Sequence, residues 1–355
     1  MEKQENIKFS IVDVEQRYKI MAGETVNNGT KMVSWGIDND IPQLLYGCYS
    51  HSATLKSVCD GCVNYILGDK IEVSPKWEKK INRRGNSMKS LVKHISADYI
   101  NYGNFAIQVI FNKMGEVVEL YPLDVAKCRL NETKTKVFYS KKGWTKYQTK
   151  SEEFDAFNLS KIDPEKRTQI FFYNGEGVRS IYNKAPWEAA IFDVLTEIEA
   201  TKYSLNTVSN GFSARYILNY PESDNLTDEQ KKNIEKGIQQ KFCGSESATF
   251  GVYFGDDGRK MEVAKIEVDD APEKYEAIRK AARENIFISM RATPVLFGLV
   301  TAANGFATSE YSDSFKLFQR TVIQPMQDII EESLSTITGI DDVIKITPFA
   351  ITFEQ

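Results

Sequence analysis

The sequence has almost no histidine: His51 and His94 are the two among 355 residues. That scarcity leaves little from which to build a histidine-based catalytic triad or a multi-histidine metal site. Positive charge is not in excess either. Lys plus Arg number 45 against 49 Asp plus Glu, a formal net charge of −4, which argues against a protein that grips nucleic acid through bulk positive charge. Neither a G-x-x-x-x-G-K-S loop nor a G-x-G-x-x-G loop occurs, so any ATP-driven work belongs to a partner. Long apolar runs are missing as well. The uncharged stretch Ala292 to Ser309, ATPVLFGLVTAANGFATS, carries Pro294, Gly298, Asn304, Gly305 and four hydroxyl residues, which makes it poor material for a membrane span.

Cysteine is sparse: Cys48, Cys59, Cys62, Cys128 and Cys243. The start MEKQENIKFS lacks the basic, apolar, small-residue layout of a signal peptide, so synthesis in the cytoplasm and reduced thiols are expected. The C-D-G-C pair at Cys59 and Cys62 has no second pair to complete a zinc site and no strand directly before it, so structural thiols are expected. The acidic pairs Asp256-Asp257 and Asp269-Asp270 read as turn and helix-start residues. No catalytic constellation, metal site or cofactor is expected, and the chain reads as a non-enzyme.

What is present suits one large domain or two ordinary ones: 40.4 kDa with 42% hydrophobic residues. Turn chemistry marks Asn27 to Thr30 and Asp38 to Pro42, and Pro42 opens a short helix. Leu55, Val58, Cys62, Tyr65 and Ile66 mark an amphipathic helix that stops at Gly68; Leu91, Ile95, Tyr99 and Tyr102 mark another that stops at Gly103. Both histidines lie in polar, helix-like stretches and read as surface residues. From Asn104 the period becomes two. FAIQVIF and EVVELYPL flank a turn at Asn112 to Gly115, and VAKCRL, KVFYS and TQIFFYN follow as strands. This part is α+β, with helices followed by a largely antiparallel sheet.

Pro186 opens a long helix with the stripe Trp187, Ile191, Val194, Ile198 and Leu205, ending at Gly211. RYILNYP reads as a strand. Thr227 with Gln230 makes a capping box for a helix bearing Ile234, Ile238 and Phe242 and ending at Gly244. ATFGVYF and KMEVAKI then flank Gly255-Asp256-Asp257-Gly258 as a hairpin. The insert from Arg215 to Asp270 holds eight basic and twelve acidic residues, so its deficit equals that of the whole chain. Pro272 starts a second long helix with Tyr275, Ile278, Ala282, Ile286 and Ser289 on one face. Arg279, Lys280 and Arg283 lie within about 100° of one another beside it. A third helix, SEYSDSFKLFQRTVIQPMQDIIEESLSTI, turns Tyr311, Phe315, Phe318, Val322, Met326, Ile329, Ile330 and Ile337 inward, with Pro325 bending it. VIKITPFAITF closes the chain as a strand pair or one broken strand.

This order of segments resembles the tailed-phage portal protein in its long-tailed-phage form. SADYINYGNFAIQVIFNKMGEVVELYPLDVAKCRL is similar to that family's wing, and APWEAAIFDVLTEIEATKYSLNTVSNGF to its first stem helix, with Asn210, Gly211 and Phe212 in a different order from the family's. KFCGSESATFGVYFGDDG resembles the clip, ENIFISMRATPVLFGL the passage from stem to tunnel, and SEYSDSFKLFQRTVIQPMQDIIEESL the kinked helix with its proline at Pro325. The implied layout is a wing over 1–184, a first stem helix over 185–213, an α/β clip over 214–270 and a second stem helix over 271–293. A tunnel loop over 294–308, a kinked helix over 309–337 and a C-terminal strand over 338–355 returning to the wing complete it, with the family's crown small or absent.

The resemblance implies a homo-oligomeric ring of about twelve copies at one capsid vertex. Double-stranded DNA passes through it without sequence reading, the large terminase and later a tail-connector adaptor dock on it, and major capsid and scaffolding proteins surround it. The expected place is the virion, after assembly in the host cytoplasm. A ring multiplies every phosphate contact, so a wall rich in Lys and Arg would hold DNA fast and stall it. On this reading Leu299, Val300, Thr301, Ala302, Ala303, Asn304, Gly305, Phe306, Ala307 and Thr308 form the tunnel constriction. Small residues allow close approach, Thr301, Asn304 and Thr308 offer weak hydrogen bonds, and Val300 and Phe306 give bulk. Without the resemblance the same stretch reads as an ordinary packed loop. Arg279, Lys280 and Arg283 are candidates either for a sparse basic ring facing DNA or for salt bridges between subunits with Glu276 and Glu284. Another ring-forming virion adaptor, an α/β enzyme over Asn104 to Asn174, and a membrane-inserting hairpin at the uncharged segment remain the alternatives.

Overall fold

The computed structural model describes residues 24–144, 150–163, 165–175, 180–209, 215–220, 227, 229–230, 232–233, 236, 250–254, 262–266, 272–298 and 308–350. The chain divides into two compact units, residues 1–192 with 285–355, and residues 193–284.

In the first unit, α1 (Ile41–His51) starts on Pro42, whose missing N–H costs nothing in a first helical turn. The Ser52 side chain accepts the Leu55 amide and starts α2 (Ala53–Leu67), which presents Leu55, Val58, Cys59, Cys62 and Ile66 to the core. β1 (Lys70–Val73) follows. Ser87 caps α3 (Met88–Tyr102), which ends at Gly103 in the left-handed region, φ 69°. A Cβ at Gly103 would fall 2.2 Å from the Lys184 carbonyl oxygen, so glycine is needed there both for the turn and for the close approach.

Six strands then form one sheet: β2 (Phe105–Phe111), β3 (Val117–Leu123), β4 (Cys128–Leu130), β5 (Lys136–Tyr139), β6 (Glu152–Ala156) and β7 (Thr168–Tyr173). Their spatial order is β3-β2-β7-β6-β5-β4, antiparallel throughout except for the β6–β7 pair. The α+β class read from the sequence is what forms. β2 is buried along almost its whole length, which seats it between layers. Arg129 of β4 is fully buried between the indoles of Trp35 and Trp144. Its guanidinium donates to Asn39 Oδ1 and to the carbonyls of Asn39, Ala126 and Cys128, which satisfies a charge that has no carboxylate at hydrogen-bond range among the described residues. Burial lowers its pKa to about 10.

The second unit contains most of α4 (Ile191–Ser209), the strands β8 (Arg215–Tyr220), β9 (Phe250–Phe254) and β10 (Glu262–Ile266), and most of α5 (Pro272–Ser289). Back in the first unit come a 3₁₀ turn (Pro294–Phe297), α6 (Thr308–Phe318), a π-helical turn (Gln319–Ile323), α7 (Gln324–Thr338) and β11 (Ile344–Thr347). β11 pairs antiparallel with β1, Ile71 opposite Ile346, with Ile344 and Ile346 turned inward.

The structure corrects several expectations. β9 and β10 do not form a hairpin: β8 lies between them, parallel to β9 and antiparallel to β10. The seven residues 255–261 joining them reach roughly 23 Å when extended, more than the roughly 10 Å needed to step over one strand. Val125–Lys127 is a 3₁₀ turn capped by Asp124, not strand, and α4 begins at Ile191 after a 3₁₀ turn (Glu188–Ala190). Neither β1 nor β6 was expected: Lys70 to Val73 alternates over four residues only, and Glu152 to Ala156 is mostly charged. β6 is a charged strand held by its backbone partners and by Lys136 to Glu153 (3.1 Å) and Asp155 (2.7 Å). His94 is half-buried rather than a surface residue, its Nε2 3.3 Å from the Leu123 carbonyl oxygen. The expected helix positions Ile234, Ile238, Phe242 and Gly244 lie outside the described residues, but the capping box is present: Thr227 N–H donates to Gln230 Oε1 (2.9 Å), and Gln230 N–H to Thr227 Oγ1 (3.4 Å).

Candidate functional site

Among the candidate residues, Leu299, Val300, Thr301, Ala302, Ala303, Asn304, Gly305, Phe306 and Ala307 lie outside the described residues, and Thr308 is the first residue of α6. What the structure does describe is the anchor on either side of them. Upstream, Pro294–Phe297 closes one 3₁₀ turn and Gly298 leaves it at φ 82°. The Phe297 ring sits among Tyr65 (centroids 6.0 Å apart), Phe287 (5.9 Å) and Phe318 (5.8 Å). Tyr65 also meets Phe315, Phe318 and Phe349, and its hydroxyl donates to the Leu296 carbonyl at 3.1 Å. Burial raises the pKa of that hydroxyl, so it stays a donor. Edge-on aromatic pairs of this kind contribute about 0.5–1.5 kcal/mol each beyond area burial. Phe297 before the segment and Phe315 and Phe318 after it thus meet in one aromatic socket around Tyr65 of α2.

Downstream, Pro325 stands in the first turn of α7, directly after the π-helical turn, where the Gln324 N–H reaches back to the Gln319 carbonyl. The wider turn carries the chain past a residue that has no N–H to give. Gln327 is buried, and its Nε2 donates to the carbonyls of Ile66 (3.0 Å) and Tyr65 (3.4 Å), capping the end of α2 that carries the socket. Sequence reading missed Gln327, Phe297 and Gly61. An isolated glycine inside a helical pattern was the one available signal.

In the second unit Tyr203 of α4 stacks on Tyr275 of α5, centroids 4.4 Å apart and planes 18° from parallel. The structure separates the three basic candidates. Lys280 is exposed, whereas Arg279 and Arg283 are half-buried, and Arg279 Nε is enclosed with no hydrogen-bond partner among the described residues. None of the three forms an ion pair among the described residues, although Glu276 and Glu284 are one turn from Lys280. Two expected core positions are corrected: Ile278 is 48% exposed and Leu205 64% exposed, with Tyr275 also open.

Among the described residues no cluster of His, Cys, Asp and Glu is able to hold a metal, and no helix is long and apolar enough to cross a membrane. Cys48, Cys59, Cys62 and Cys128 are buried, Cys62 with its thiol pushed up to about 12, which suits packing and not reactivity. Cys243 lies outside the described residues.

The sequence pattern of the family described as phage portal protein matches residues 74–342. The chain belongs to the phage portal protein family. Portal proteins are structural components of particle assembly and not enzymes. The fold is similar to that of an HK97 family phage portal protein from Corynebacterium diphtheriae (13% identity, 85% of this chain and 94% of that one, TM-score 0.55). It is similar as well to a chain from the virion of a native gene transfer agent particle (15% identity, 95% and 89%, TM-score 0.57). A chain from the neck of an empty particle of that kind, computed with C6 symmetry, gives a TM-score of 0.59 at 15% identity over 90% and 86%. No curated protein matches.

Proposed function

We propose that copies of this portal protein close into a ring of about twelve at one capsid vertex, through which double-stranded DNA is packaged and ejected. The observation that carries this reading is the family match over residues 74–342. Similarity to chains of particle necks with cyclic symmetry supports the ring. The charge supports the channel: with a net −4 per copy, the wall offers DNA few phosphate contacts, and a ring of such walls lets the duplex slide. Arg279, Lys280 and Arg283 are the candidate phosphate contacts on the stem, with salt bridges between subunits to Glu276 and Glu284 as the other use of the same cations, and they are few. The acidic insert around β8, β9 and β10 is the docking face for the large terminase and then the tail-connector adaptor, where charge selects the partner more than it adds affinity. Major capsid and scaffolding proteins hold the wing side.

Negative-stain imaging of the purified protein tests this. The expected result is closed rings with an axial hole wide enough for duplex DNA; a stable monomer or dimer overturns it. Leu299 to Thr308 is the proposed constriction, rooted in the aromatic socket at Phe297. Replacing that stretch with a lysine-bearing one is expected to leave rings intact and to slow packaging. Unchanged packaging would remove the stretch from the mechanism.

A further inference from the structure

The stem carries apolar side chains that one copy of the chain leaves uncovered. On α5, Ala277, Ile278 and Ala281 are all exposed, Ile278 at 48%. At 100° per residue these three lie within about 100° of one another, about a quarter-turn from Ala282, which is packed. Beside them run Glu276, Lys280 and Glu284, exposed, one turn apart and alternating in sign, and forming no ion pair among the described residues. On α4, the stripe that is buried at Val194 and Ile198 runs on to Leu205, which is 64% exposed. The Tyr203–Tyr275 stack brings α4 and α5 side by side, and Leu205 and Ile278 each lie less than one helical turn from it.

We propose that the Ala277–Ile278–Ala281 face of α5 docks on the Leu205 end of α4 in the next copy of this chain. Charge identifies the occupant. The carboxylates of Glu276 and Glu284 repel a nucleic acid backbone or an anionic lipid, whereas α4 offers this face both signs, Glu199 and Lys202, exposed and only 3.1 Å apart. The alternating ladder beside an apolar seam resembles the flanking charges that set register between packed helices. Two alanines in the seam let a helix approach at the short end of the usual 8–10 Å range. The two patches are unlike surfaces of one chain, so their contact is head-to-tail, the kind that propagates from copy to copy and closes by rotation. The proposal rests on the ring reading and deepens it. It assigns Lys280 to the neighbouring copy and leaves Arg279 and Arg283 for phosphate.

The test uses the full chain in a Cys243→Ser background, in which Leu205→Cys and Ile278→Cys are introduced singly and together. Oxidation of the double variant is expected to give a ladder of covalent oligomers on non-reducing gels, and each single variant none above dimer. Ile278→Glu is expected to lower the assembled fraction at least tenfold by light scattering, with an unchanged circular dichroism melt. Should Ile278→Glu fail to fold, the cysteine pair decides alone. Rings whose double variant gives no ladder, or only a cross-link within one chain, overturn the proposal and leave the ring reading standing. A wild-type protein that is monomeric throughout overturns both.

Discussion

Phe297 lies so close to Gly61 that a Cβ at Gly61 would fall 2.5 Å from its ring. A glycine in the middle of α2 costs about 1 kcal/mol relative to alanine, and here that cost makes room for the Phe297 ring. Gly61→Ala is therefore expected to destabilise by ~1–3 kcal/mol, through overpacking. Adding Phe297→Leu is expected to recover part of the loss, a coupling that a double-mutant cycle reads out. Gly47 in α1 is the control, because nothing lies within 4 Å of its missing Cβ, and Gly47→Ala is expected to gain about 0.5–1 kcal/mol. All four tryptophans lie in the first unit, so urea unfolding followed by tryptophan fluorescence reports on it alone. A neutral Gly61→Ala would mean that Phe297 moves freely.

What sequence reading found and missed divides along physical lines. Helices whose apolar residues recur at three and four positions, as at Leu55, Val58 and Cys62, were legible because one buried face is a local property. The end of α3 at Gly103 and the capping box at Thr227 were legible for the same reason. β6 was not, since Glu152 to Ala156 alternates nothing and is recruited by strands on either side. The place of β8 between β9 and β10 was hidden because strand order is set by long-range pairing, which no local turn signal encodes. Leu205 and Ile278 fit their stripes by period, yet a single copy leaves both open. The socket was hidden most of all, since Gly61, Tyr65, Phe297 and Gln327 come from three distant segments and meet only in the fold.

Gln327 is expected to tolerate no loss of its amide. Gln327→Leu keeps the volume and removes the donor from the Ile66 and Tyr65 carbonyls, for an expected cost of ~1–3 kcal/mol. Gln327→Glu is expected to cost more, because it sets a buried carboxylate against the negative end of α2. The order wild type, then Leu, then Glu in urea midpoint is the check. A Glu variant as stable as wild type would show that the side chain reaches solvent.

Pro325 is expected to be nearly neutral on replacement. A proline forced into a regular helix interior costs about 3 kcal/mol, and Pro325→Ala would return that much if the helix were strained. The π-helical turn Gln319–Ile323 already absorbs the missing donor, and Phe315 and Phe318 hold α6 in its register against Tyr65. Closing the turn to a regular helix would rotate α6 by about 100° per residue of register and pull both rings from the socket. Pro325→Ala is therefore expected to change the urea midpoint by less than ~1 kcal/mol equivalent. A gain near the full amount would show that the proline, and not the socket, maintains the wide turn.

Asp98 gives the chain a pH dependence of definite sign. Its carboxyl is enclosed under Val125, whose N–H donates to it at 3.2 Å, and burial holds its pKa well above the ordinary value of 3.8, with Asp124 adding to the rise. A group that binds its proton more tightly when folded stabilises the protein fully below its unfolded value. That contribution is lost as the pH climbs through the folded value. Asp98→Asn keeps an acceptor for Val125 and removes the buried charge, so it is expected to raise the urea midpoint at pH 7 to 8. The advantage is expected to shrink toward pH 4, where Asp98 is itself protonated. His94 Nε2 lies 3.6 Å from the same carboxyl, and it supplies the contrary outcome. If the two were a working ion pair, Asp98→Asn would destabilise the protein near neutrality. Urea midpoints for the two proteins across pH 4 to 9 separate the cases by the sign of the difference at pH 7.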